Sequence, residues 1–292
     1  MAKTVLGVIG GSGVYDFPGL EGERWERVRS PWGDPSDELH FGRLHGVDMV
    51  FLPRHGRGHI QTPTSINYRA NIDALKRVGV TDILSVSAVG SLREDLPPGS
   101  FVIVDQFIDR TFAREKSFFG PGFVAHVSMA DPVCPRLGDH LQAACEKHQI
   151  HHHRGGTYLV MEGPQFSSRA ESELYRSWGC SVIGMTNMPE AKLAREAELC
   201  YATLAMVTDY DCWHDDHDNV EVADVVKVLN ANAEAARKVI SEVAQSFGPE
   251  RSPSPHGLDR VLDNALITPP AARDSELAAK LDAVAGRVLN RG

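Results

Sequence analysis

The chain has 292 residues, 42% of them hydrophobic and 24% charged, enough apolar material for one large α/β domain or two small ones. A net charge of −9 with no Lys/Arg block argues against a nucleic-acid surface, and no apolar run is long enough to span a membrane. The cysteines (Cys134, Cys145, Cys180, Cys200 and Cys212) are odd in number and widely spaced, as reduced thiols are, and the first residues lack a signal-peptide core, so a cytoplasmic location is expected.

Residues 5–9 read as a first strand, and residues 39–44 and 47–52 as a hairpin around His45-Gly46. Residues 64–78 carry apolar positions at helical spacing and precede a strand over 82–89. Further strands are predicted at 101–107, 157–161, 182–185 and 202–207, with helices at 135–148, 169–178, 190–198 and 222–245. This order gives an α/β fold, a single-domain mixed β-sheet core flanked by helices. The core is expected over residues 1–247. Residues 248–257, rich in Pro, Ser and Gly, form a linker, and residues 258–292 a tail with an amphipathic helix over 274–289 that docks on this chain or on a neighbour.

Candidate chemistry sits at the ends of the predicted strands, where α/β proteins bind ligands. Gly10-Gly11-Ser12-Gly13 reads as an oxyanion cradle or as a simple tight turn. Arg54-His55 supplies a fixed cation beside a switchable donor, which suits phosphate, although a surface ion pair is the plainer alternative. Around Ser87-Ala88 small residues let backbone donors approach a ligand, or merely pack. Met185-Thr186 offers a thioether to lie under a sugar and a hydroxyl at a helix N-terminus. Consecutive residues of His151-His152-His153 point to alternate faces of a strand and have no nearby carboxylate or Cys partner, so metal binding is not expected there.

Thr208-Asp209-Tyr210-Asp211-Cys212-Trp213 sets two carboxylates two residues apart after an apolar strand. If the strand persisted, Asp209 and Asp211 would point to one side with Cα atoms roughly 6–7 Å apart. Such a pair can meet a heterocycle that has a basic ring nitrogen beside an exocyclic amine, one carboxyl donating a proton and the other accepting. The alternative is a pair of loop carboxylates capping the next helix. Val222, Val225 and Val226, at i, i+3 and i+4 of the predicted helix, form one apolar face that either covers a ligand or packs in the core.

The segments Leu52-Pro53-Arg54-His55-Gly56, Gly90-Ser91-Leu92-Arg93-Glu94, Asp105-Gln106-Phe107-Ile108-Asp109-Arg110-Thr111, Glu162-Gly163-Pro164-Gln165-Phe166-Ser167-Ser168-Arg169-Ala170-Glu171-Ser172 and the Asp209–Asp211 motif stand in the order found in 5′-methylthioadenosine phosphorylases. Over roughly residues 5–245 the chain resembles that family, trimeric members of the purine nucleoside phosphorylase superfamily. The resemblance implies a mixed α/β core, no metal or redox cofactor, inorganic phosphate as co-substrate and a homotrimer. It implies a phosphate site of Ser12, Arg54, His55, Ser87, the Ala88 backbone and Thr186. Animal members carry Thr where this chain has Ser12 and Ser87, and they differ at Gly58 and Asn187. Met185 is implied against the ribose, Phe166 against the base, Asp209 facing N7 as general acid and Asp211 facing the 6-amino group. Substrate specificity falls to Ser167, to Val222, Val225 and Val226 around the alkylthio group, and to His126 from an adjacent subunit. The implied reaction is phosphorolysis of 5′-methylthioadenosine. The rival readings are a broader adenosine or 6-oxopurine nucleoside phosphorylase, a nucleosidase that uses water, and a nucleoside-binding protein without catalysis.

Overall fold

The computed structural model describes residues 3–11, 13–15, 17–214 and 222–289, with the side chains of residues 222–227 outside that set. Strands β1 (Val5–Gly10), β4 (Val47–Pro53), β5 (Asp82–Ser91) and β11 (Cys200–Asp209) form a parallel centre in the order β4-β1-β5-β11. Their near-continuous apolar runs follow from burial on both faces. In β11 every residue but Asp209 is buried, and alternate side chains enter opposite layers: Tyr201, Ala205 and Val207 on one side, Ala202, Leu204 and Met206 on the other.

The first layer is closed by α1 (Tyr68–Arg77) and α4 (Asn187–Glu196), the second by α2 (Pro135–Lys147) and α5 (Val222–Phe247). Antiparallel additions make the 11-stranded sheet mixed. Strands β2 (Glu21–Glu26) and β3 (Leu39–Leu44) extend it beyond β4, and β6 (Phe101–Ile103) pairs with β11 and with β8 (His152–Arg154). At Gly90 and Ser91 the end of β5 pairs with β10 (Val182–Gly184), which leads to β9 (Thr157–Met161) and β7 (Gln106–Arg110). That fork opens the sheet at the C-terminal ends of β5 and β11.

Several expectations change in detail. The strand over 101–107 is two strands, β6 and β7, split at Val104-Asp105, and β2 was not expected, whereas the His tract read as a strand lies in β8. Helix α1 starts at Tyr68, where the Asn67 side chain accepts from the Ala70 N–H, so residues 64–67 stay outside it. Residues 248–257 hold no long helix or strand yet are tied down: Arg251 ion-pairs with Asp82 and Asp259, and the Thr4 N–H donates to Pro249 O. The tail packs on its own chain. Leu262, Leu281, Val284 and Ala285 enter the first core layer, Arg287 pairs with Glu198, and the Ile267 N–H donates to Val124 O. Its expected single helix is two short ones, α6 (Ser275–Lys280) and α7 (Gly286–Leu289), with Leu281 capping the first and turns over residues 281–285 between them.

Candidate active site

The sheet fork gathers the C-terminal ends of β1, β4, β5 and β11 with the start of α4. Arg54, the residue after β4, is only 2% exposed. Its Nε and Nη2 donate to the two oxygens of Glu190 at 2.8 and 3.0 Å, Nη2 also to Ser85 Oγ at 2.6 Å, and Nη1 to Val86 O at 2.9 Å. Burial opposes the guanidinium's charge, but the Glu190 carboxylate outweighs it and raises the pKa. Arg54 is therefore half of a buried ion pair and not of a surface one, and Nη1 carries a second hydrogen beyond the one given to Val86 O. Glu190 also accepts from Ser85 Oγ and Tyr201 OH, and Asn187 donates to Ser85, Tyr201 and Thr203, completing a buried polar web beneath the site.

His55 stacks on His59 at 4.3 Å, and its Nδ1 lies 2.9 Å from Gln61 O. Burial, then the Arg54 charge, pushes its pKa down to about 4 against the Gln61 contact, so the ring is neutral at pH 7. Nδ1–H donates to Gln61 and Nε2 is left as an acceptor. The expected switchable donor is in this state an acceptor.

Ser87 and Thr186 are brought together: their hydroxyls lie 3.2 Å apart, and both residues are buried. Ala88 is the one exposed residue of β5, facing the opening. Thr186 precedes α4 but makes no capping bond, because Met188 (φ −119°, ψ 130°) breaks the first turn and regular helix begins at the proline beyond it. The helix N-terminus expected at Thr186 is thus displaced, and its hydroxyl turns to Ser87 instead. Ser12 lies outside the described residues. The turn around it is anchored by Arg237 of α5, whose Nη1 donates to Gly13 O, and by His40, whose Nδ1 is 3.1 Å from Tyr15 O.

The acid pair departs from extended geometry. A bulge between Val207 and Asp209 shifts the register at the last pair of the ladder, Asp209 with Gly90, and Asp211 sits at φ 53°, the left-handed region. The two residues do not alternate along a strand; the chain folds back so that the Asp211 N–H donates to Asp209 Oδ1 at 2.8 Å while Thr208 Oγ1 donates to Oδ2 at 2.7 Å. Burial pushes both carboxyls up; for Asp211 the neighbouring Asp209 charge adds to it, and the nearby Ser172 and Ser167 hydroxyls offset only part of the rise. Asp211 Oδ2 is buried and makes no hydrogen bond of normal geometry among the described residues. Gly90 makes this packing possible, since a Cβ there would fall 2.9 Å from Asp209 Oδ1 and 3.2 Å from Asp211 Cβ.

Phe166 is 50% exposed at the mouth, just before α3 (Arg169–Ser177), which a Ser168/Glu171 capping box starts. The Ser167 carbonyl accepts from Cys212 Sγ at 3.2 Å, joining this loop to the acid motif. Met185 is partly buried, and its carbonyl is held by Arg114 at 2.6 Å. Arg114 also grips Met188 O and Glu162, whose carboxyl accepts from Thr64 and from the Phe112 and Ala113 N–H groups. These donors hold Glu162 down to about 2 despite burial. His126 is exposed, its N–H donating to Ala265 O, and no contact among the described residues joins it to this group. The side chains of Val222, Val225 and Val226 lie outside the described set. Glu190, Arg114 and Tyr158, which underpin the site, were not singled out from sequence.

The model of the phosphorylase superfamily matches residues 5–245. An S-methyl-5′-thioadenosine phosphorylase of Rhodospirillum rubrum is 66% identical over 287 residues, covering 98% of each chain. The crystal structure of a methylthioadenosine phosphorylase from an antarctic soil metagenomic library superposes with a TM-score of 0.91 at 48% identity, over 96% of this chain and 98% of that one. A methylthioadenosine phosphorylase of Schistosoma mansoni in complex with adenine gives a TM-score of 0.81 at 34% identity, over 97% and 98%. Sequence and fold agree, and the chain belongs to the phosphorylase superfamily, among the S-methyl-5′-thioadenosine phosphorylases.

Proposed function

We propose that the protein catalyses phosphorolysis of 5′-methylthioadenosine to adenine and 5-methylthioribose 1-phosphate. The observation that carries this reading is the buried carboxyl pair, in which the carboxyls of Asp209 and Asp211 lie side by side and burial raises both. Asp211 accepts from the 6-amino group, and Asp209 delivers its proton to N7, so adenine departs as a neutral base. Phosphate, held by Ser12, Arg54, His55, Ser87, the Ala88 N–H and Thr186, attacks C1′ of the oxocarbenium-like sugar from the opposite face, its own charge stabilising the cation. Met185 supports the ribose, Phe166 covers the base, and Ser167 with Val222, Val225 and Val226 shapes the alkylthio end. Acid and anion suffice for this chemistry, so the reading assigns no cofactor and makes phosphate a co-substrate.

The test is adenine release from methylthioadenosine with and without phosphate. Turnover is expected only with phosphate; undiminished release in phosphate-free buffer would point to a nucleosidase, and tight binding without release to a non-catalytic module. Free cysteines fit a cytoplasmic location. We also propose a homotrimer in which a neighbour's His126 closes each pocket. Supporting it, Phe112 and Ile60 are 82% and 77% exposed, large apolar surfaces that an assembly would cover. Light scattering at micromolar concentration is expected to give three times the chain mass, and a fully active monomer would refute it.

A further inference from the structure

Tyr158 of β9 is wholly buried, and its hydroxyl lies 2.9 Å from Ser87 Oγ. A Cβ on Gly184 of the adjacent strand would fall 2.1 Å from that hydroxyl, so glycine there is what lets the phenol reach the site. Burial raises its pKa and the phenol keeps its proton, which needs an acceptor. Among the described residues the acceptors it meets are the hydroxyls of Ser87 and Thr186. A proton donated to Ser87 Oγ occupies one of its lone pairs and leaves the Ser87 proton to point elsewhere. Without the phenol, Ser87 is a free rotor with two inward options, Thr186 at 3.2 Å and Ala88 O at 3.3 Å.

We propose that Tyr158 is a positioning residue that fixes the rotamer and hydrogen-bond direction of Ser87, so that Ser87 and Thr186 both present O–H donors to the attacking phosphate. The inference rests on the reading of Ser87 and Thr186 as phosphate ligands. Its consequence is a residue that never touches substrate yet sets the affinity for one substrate and not the other.

Steady-state kinetics on Tyr158→Phe, Ser87→Thr and the double variant test it, together with calorimetric titration of inorganic phosphate into each protein. Tyr158→Phe is expected to raise KM for phosphate about three- to tenfold, the worth of one neutral hydrogen bond, with kcat and KM for methylthioadenosine within about twofold. A β-branched residue holds its own rotamer, so Ser87→Thr in the Tyr158→Phe background is expected to bring KM for phosphate back to that of Ser87→Thr alone. An unchanged KM and Kd for phosphate in Tyr158→Phe, an equal rise in both substrates' KM, or no restoration by Ser87→Thr overturns the proposal while phosphorolysis stands. Wild-type protein that neither binds phosphate nor needs it for adenine release overturns both.

Discussion

Asp209→Asn is expected to lower kcat for methylthioadenosine by roughly 10²–10⁴-fold, the usual worth of a positioned general acid, with KM changed far less. The amide fits the same place. Its oxygen can accept from the Asp211 N–H, and Thr208 Oγ1, which also lies 3.2 Å from Val89 O, can donate there and accept from the new amide nitrogen. What is lost is the transferable proton. Because burial raises the Asp209 pKa, the wild-type carboxyl keeps that proton above the ordinary aspartate range, and its activity is expected to fall as pH rises through the shifted value. The variant should lose this alkaline limb. The sign for stability is opposite to that of a paired carboxylate: a raised folded-state pKa stabilises at low pH, and the benefit disappears as pH rises through that value. Removing the carboxyl therefore withdraws no stabilisation at neutral pH, and lost turnover would not reflect unfolding. Stopped assays over pH 5–9 with matched thermal melts decide it; a variant with near-wild-type kcat would show that another group is the acid.

The parts of the fold that could be read in the sequence are those whose pattern is local. Strands β1, β5 and β11 announce themselves because both faces are buried and their residues are almost all apolar or small. Strand β2 does not: Glu21-Gly22-Glu23-Arg24-Trp25-Glu26 is nearly all exposed, held as an edge by its ladder to β3, and has no hydrophobic period to detect. The site divides in the same way. Asp209, Ser87 and Thr186 lie inside distinctive motifs that drew them out of the sequence, and the fold brings the Ser87 and Thr186 hydroxyls together. The left-handed turn at Asp211 was not, since residue type alone gives no sign that an aspartate there leaves the strand. Nor were the contacts of Tyr158 with Ser87, 71 residues apart, and of Arg54 with Glu190, 136 residues apart, because nothing local records which distant side chain fills a buried acceptor.

The Arg54–Glu190 pair gives the largest expected effect on stability. Both side chains are only 2% exposed, and each is the other's main charge compensation. Arg54→Met leaves the Glu190 carboxylate buried with only Ser85 and Tyr201 hydroxyls, and breaking a buried pair in this way costs about 3–5 kcal/mol. Glu190→Gln leaves the guanidinium uncompensated and should cost a similar amount. In Arg54→Met/Glu190→Gln no charge is stranded, and the double variant is expected to lose less than the sum of the two singles, a coupling of about 1–3 kcal/mol. Phosphate affinity should separate the variants differently. Both lacking Arg54 lose the Nη1 donor and are expected to need much higher phosphate, with or without restored stability, whereas Glu190→Gln keeps the cation and loses chiefly its aim. Denaturant unfolding at matched protein concentration, followed by KM for phosphate at a temperature where all variants are folded, tests both halves. Strictly additive losses would mean that the pair is not coupled through charge, and an unchanged phosphate KM in Arg54→Met would leave this arginine as a purely structural residue beneath the site.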